Sequence, residues 1–324
     1  MKRTILTMLA AAALTLSAGA SMAAEKVTFL FPAPDFLPAF APYQLALHKG
    51  YFKEAGLDVT FRVGKGGADV ATQVAVGNAD LGGGVGDTPI IVRSNDVKIR
   101  GVALLGGHGI AQLAWREDSG ITGPSDLKGK EIGILSFQQT TYYNLLGLLA
   151  AEGLTKQDVS IQALGPGGVV QMMIAGKVQA IAAAPEIIAA VEHAGVKIGQ
   201  VPVDSVFPAM AQAILASDDT IAKRPEMVRA FVGAILHAVR DIEDDPAAAA
   251  KAFVAAVPRH AGKEAEIEAI LRAYATKLYP TENGLPLGAF NPERIASVQT
   301  FYVDSGIVQS AVPVEDLYTN SFVQ

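Results

Sequence analysis

Apolar positions along this chain recur with two periods, one of strands and one of helices. Short apolar runs at 27–31, 57–63, 79–83, 100–105 and 111–116 read as strands. Between them, 42–50, 68–77 and 88–94 carry helix signals, with Gly50 as a stop and Pro89 in a first turn, where its missing N–H costs nothing. A turn-rich connector at 121–130 precedes a second round of the same pattern. Strands are expected at 131–135, 159–163 and 180–183, and helices at 140–152, 167–176 and 185–194. From about 217 the pattern becomes helical, with segments at 223–241, 245–257, 264–277 and 291–305. The third of these places Ile267, Ile270, Leu271 and Tyr274 at helical spacing.

Alternation of this kind predicts an α/β protein of two doubly wound, mostly parallel sheets with helices on both faces. The expected division is a discontinuous first domain, 24–113 with 215–324, and a second domain, 114–214. The helical tail is expected to pack on the first domain. Strands at 111–115 and 212–216 are expected to cross between the two, since no Pro-, Ser- or charge-rich linker separates them.

The first residues bear on where the chain works. Lys2 and Arg3 precede an apolar run at 5–18, and Ser21-Met22-Ala23 supplies the small residues a signal peptidase reads. Residues 1–23 are therefore expected to be a cleaved secretory signal peptide, its apolar run short of the roughly 20 residues needed to cross a bilayer. The mature chain is expected in the periplasm. Without cysteine, disulfides, thiol catalysis, Cys-ligated zinc and a lipid on an N-terminal Cys are excluded. A net charge of −6 with no basic cluster argues against nucleic acid as a partner.

Four motifs then stand in order: Gly77-Asn78-Ala79-Asp80-Leu81-Gly82 with Gly86-Asp87-Thr88-Pro89; Asp126-Leu127-Lys128-Gly129-Lys130-Glu131-Ile132-Gly133; Gly176-Lys177-Val178-Gln179-Ala180 with Pro185-Glu186; and Lys223-Arg224-Pro225-Glu226-Met227-Val228. In order and spacing they resemble the periplasmic solute-binding proteins of the nitrate/sulfonate/taurine ABC-transporter group, which includes pyrimidine-precursor binders. Gln179 stands where that group usually has Asp. The resemblance implies a two-domain periplasmic-binding-protein fold of type II, which captures a small organic solute between its domains. The solute would be a sulfonate, a small organic anion, a zwitterion or a pyrimidine-like heterocycle. Delivery to an ABC permease in the inner membrane would follow, from a monomer, with no cofactor, no metal and no catalytic residue. A pyrimidine-precursor enzyme on the same fold and a periplasmic ligand sensor are the alternatives.

In open α/β sheets, ligands bind beyond the carboxyl ends of the strands, and this rule selects five loops. The first is stiffened by Pro32, Pro34, Pro38 and Pro42 and carries Asp35 and Phe36, whose ring either walls a pocket or belongs to the core. Gly64-Lys65-Gly66-Gly67 offers amides and the Lys65 charge for a small anion, or is an exposed turn. The glycine run Gly82-Gly83-Gly84-Val85-Gly86 lets backbone approach a ligand, and Asp87 or Thr88 then caps a helix, contacts the ligand, or both. Ser136-Phe137-Gln138-Gln139-Thr140 leads into a helix start, where free amides and the dipole suit an anionic group. The resemblance implies smaller residues in that loop, so Phe137 and the two glutamines point to a larger or flatter ligand. Glu186 can accept a hydrogen bond from a ligand N–H or merely complement a helix dipole. These loops hold three acidic groups, Asp35, Asp87 and Glu186, against Lys65 alone, a balance that favours a zwitterion or N–H-bearing heterocycle over a dianion. His108 and Trp115 are read as poor ligand candidates, Trp115 as packing.

Overall fold

The computed structural model describes residues 23–281 and 284–323. Residues 1–22, most of the expected signal peptide, lie outside the described residues.

Among the described residues, ten strands form two five-stranded sheets. The first contains β1 (Glu25–Phe31), β2 (Leu57–Val63), β3 (Leu81–Val85) and β4 (Ile99–Leu104). The second contains β5 (Gln112–Arg116), β6 (Glu131–Ile134), β7 (Ser160–Ala163), β8 (Ala180–Ala183) and β9 (Ile198–Pro202). The tenth strand, β10 (Gln212–Ser217), returns to the first sheet. The orders are β2-β1-β3-β10-β4 and β7-β6-β8-β5-β9. These are one plan used twice. In each sheet a single strand runs against the rest: β10 pairs antiparallel with β3 and β4, and β5 with β8 and β9. The sheets are thus mostly parallel, and each reversed strand is the one the chain enters after passing between lobes.

Two readings of the strands change. The segments 111–115 and 212–216 do not cross; β5 and β10 each lie within one sheet. The crossings are the irregular stretches before them, 105–111 and 203–211. They run side by side, with Leu105 N donating to Gln212 O at 2.7 Å and Val203 N to Ala111 O at 3.0 Å. The strand expected at 79–83 also runs further, to Val85. Gly82, Gly83 and Gly84 form most of β3, buried at the middle of its sheet. A Cβ on Gly82 would collide with Val70 and Val74, and one on Gly84 with Thr88 and Leu215. These glycines let helices approach the sheet closely, and Gly84, at the end of the run, also presents its backbone to a cavity between the lobes. β9, a half-exposed edge strand with Gln200 at its centre, carries too weak an apolar signal to be read from sequence.

Helix Pro225–Asp244 buries a stripe that includes Met227, Phe231, Ile235 and Val239. Phe231 stacks on Phe29 of β1 at 5.2 Å and on Phe52 at 4.9 Å, so this part of the tail covers the first sheet. The tail also reaches the second lobe. Helix Glu264–Ala273 passes into a π-helical turn, Tyr274–Leu278, and helix Pro292–Asp304 ends beside residues of both lobes. Trp115 is buried in β5 against Gly199, as packing.

Candidate functional site

The strand-end loops of the two sheets meet face to face. Ala68 N donates to Gln138 O at 3.1 Å, Ser136 Oγ to Lys65 O at 2.9 Å, and Gln139 Nε2 to Pro32 O at 2.7 Å. The Thr88 and Thr140 hydroxyls lie 2.9 Å apart and share a hydrogen bond. Gly66, at φ +135°, leaves no room for a Cβ against the Gln138 carbonyl, and a Cβ on Gly67 would strike the Thr140 hydroxyl. The lobes are closed along this edge.

Behind the edge lies a cavity of about 60 Å³, with walls from both lobes and from the crossings. Leu37, Phe40, Ile110 and Leu135 make its apolar part, and Gln139, Thr140, Thr141, Glu186 and Gln212 its polar part. Among the described residues, no Lys or Arg lines it. Glu186 is buried and accepts from Tyr274 OH at 2.9 Å. Burial raises its pKa above the usual 4.5, which favours the protonated acid. Gln212, 7% exposed at the start of β10, has no partner for its side-chain amide among the described residues. An amide that lines a cavity and has no partner in the protein offers both a donor and an acceptor to a guest.

Of the residues expected at the ligand, the structure brings Gln139, Thr140 and Glu186 to this cavity. The others are engaged elsewhere. Asp35 offers its carbonyl to Gln44 Nε2 at 3.1 Å. Phe36 lies under the Arg259 guanidinium, 3.7 Å from its ring centroid, and its carbonyl meets His260 Nε2 at 2.8 Å. Lys65 is exposed, and its amide donates to Asp69 Oδ2 at 2.9 Å. Gly86 packs on Met210, with its amide on Ala211 O. Ser136 and Gln138 serve the closed edge, and Phe137 points outward, 46% exposed, edge-on to Tyr142.

Asp87 neither caps its helix nor reaches the cavity. It is fully buried and accepts from Tyr302 OH at 2.7 Å, Asn144 Nδ2 at 2.7 Å and Met210 N at 2.9 Å. These four residues come from the first lobe, the tail, the second lobe and a crossing. Burial raises the Asp87 pKa, while Tyr302 and Asn144 oppose that shift by donating to it. Asp87 is a joint between the lobes.

A larger groove, about 820 Å³, opens nearby, lined by Pro185 and Ala273, the chain neighbours of Glu186 and Tyr274. Helix Pro185–His193 of the second lobe forms one wall, and the tail segment Glu264–Leu278 forms the other.

Residues 37–249 match the NMT1/THI5-like family. The chain belongs to that family. Among its relatives is the riboflavin-binding protein RibY of Chloroflexus aurantiacus, 24% identical over 88% of this chain and 82% of the relative. A 4-amino-5-hydroxymethyl-2-methylpyrimidine phosphate synthase of Saccharomyces cerevisiae, THI12, is 27% identical over 74% of this chain and 73% of its own length. The taurine-binding periplasmic protein of Escherichia coli is 27% identical over 58% of each chain. The alkanesulfonate-binding protein SsuA of Xanthomonas axonopodis, solved with MOPS, superimposes with a TM-score of 0.72 at 18% identity, covering 91% of this chain and 98% of that one. A Bordetella bronchiseptica structure superimposes at 0.75 with 23% identity, covering 93% and 96%. These superpositions establish the fold: two α/β lobes of the periplasmic-binding-protein kind.

Proposed function

We propose that this chain is an extracytoplasmic solute-binding protein. It holds a small organic solute between its lobes and presents it to the permease of an ABC importer. The cavity walled by both lobes carries this reading, and the unpartnered Gln212 amide within it is the observation that points to a guest. A solute touching both walls favours the closed arrangement by its differential affinity. The polar set of amides, hydroxyls and one carboxyl already held by Tyr274 suits grip better than bond-making. The synthase relatives keep an enzymatic role as the alternative class.

The same set narrows the solute. With no Lys or Arg among the described residues that line the cavity, an anionic group finds no charge partner in them. Gln212, the free face of Glu186 and the Gln139 oxygen offer donors and acceptors to an uncharged or zwitterionic molecule bearing N–H groups. Calorimetric titration tests this. Zwitterions and N–H heterocycles are expected to include a binder that inorganic dianions do not match. Gln212→Ala should weaken that binder by about tenfold, the worth of one buried hydrogen bond. Tight binding of dianions alone, indifferent to Gln212→Ala, would overturn the assignment.

A further inference from the structure

We infer that the chain carries a second ligand slot, for a flat uncharged ring molecule, between helix Pro185–His193 and the tail segment Glu264–Leu278. The groove of about 820 Å³ lies within the roughly 300–1,000 Å³ typical of small-molecule sites, and is far larger than the inner cavity. Sequence neighbours divide between the two spaces. Gly109 lines the slot and Ile110 the cavity; Pro185 lines the slot and Glu186 the cavity. The spaces are therefore adjacent, and Glu186, which lines the cavity, is held by Tyr274 of the tail segment whose neighbours line the slot.

The shape of the slot follows from its side chains. Ala265, Ala269 and Ala273 recur every four residues, so they share one face of their helix, and all three line the slot. Ile188 and Ala189 face the same space from the other lobe. Walls of small apolar groups on two helices leave a gap suited to a planar body. Gln112 and Gln200, also lining it, have no side-chain partners among the described residues and can bond the edge of a ring. Charge argues against an anion. Asp204 accepts from Gly109 N at 2.8 Å and lies 3.5 Å from His108 Nδ1, and Glu266 pairs with Lys263 at 3.5 Å. Lys277, Glu192 and His193 complete a rim of mixed sign. A molecule in the slot touches both lobes, so its binding favours closure whatever the inner cavity holds.

The probe is N-phenyl-1-naphthylamine, an uncharged aromatic amine that fluoresces in apolar surroundings, titrated into the full mature chain. A saturable rise at one site per chain is expected. Ala269→Trp and Ala189→Trp, one on each wall, should each weaken it by about tenfold or more by filling the gap, with melting curves showing that the variants fold. Gln212→Ala should leave it unchanged, which separates the slot from the solute cavity. Hydrogen exchange on the unmutated chain gives a second readout, with dye-dependent protection on 185–193 and 264–278. No saturable rise, a rise indifferent to the tryptophan that folds, or protection confined to other segments would overturn the slot.

Discussion

Asp87 shows how little a residue's type reveals when its partners are remote. At a helix start beside a cleft loop, Asp reads as a cap or a ligand contact. In the structure its carboxyl joins three elements, one of them through Tyr302, 215 positions away. Tyr302→Phe removes one of three donors from a buried carboxyl and should lower the free energy of unfolding by about 1–3 kcal/mol, measured by denaturant melts. An unchanged midpoint would mean that the joint carries no stability. Glu186, its pKa raised by burial as that of Asp87 is, gives a prediction in pH. Its carboxyl titrates above 4.5 in the folded chain and near 4.5 when unfolded. The folded state therefore holds the extra proton, and stability declines as pH rises from about that value through the folded pKa. Glu186→Gln removes this loss. Its melting temperature should gain on the parent's across that window and stay level above it; parallel curves would contradict the burial. Glu186 was legible in the sequence as a carboxyl at a strand end. Gln212 was not singled out, because a strand reading says nothing about which polar side chain finds no partner.

The elements themselves were largely legible, since apolar periodicity reports which face is buried. β2 and β8 fall on the expected residues, and most helices fall within a few residues of theirs. The failures share a cause. The strand expected at 79–83 stops short, because Gly84 reads as the start of a loop when seen alone, yet it continues β3 with Gly82 and Gly83, whose bareness serves close packing. Continuity of an apolar stripe likewise could not foretell that helix Glu264–Ala273 would change to a π-turn at Tyr274, the residue that reaches Glu186. The loops that meet across the lobes give a prediction at this scale. Gly67→Val places a side chain where the Thr140 hydroxyl sits, a conflict that exists only when the lobes are closed. Small-angle scattering should show a larger radius of gyration for this variant. An unchanged radius would mean that the edge around Gly66 and Gly67 does not limit closure.

For the whole molecule, the repeated strand order was visible as a repeated pattern, and the two lobes follow from it. Which loops would touch a guest was not visible. Most cleft residues named from the sequence turn out to touch the opposite lobe, because strand-end loops that can grip a ligand can also grip each other. The central claim is that the lobes close on a small solute held at Gln212 and Glu186. Native mass spectrometry of the chain, purified without denaturation from its own source, tests it most directly. The account predicts one small organic molecule per chain, uncharged or zwitterionic and bearing N–H groups, lost in Gln212→Ala; a molecule retained in full by that variant, or one bound outside the space between the lobes, would contradict it.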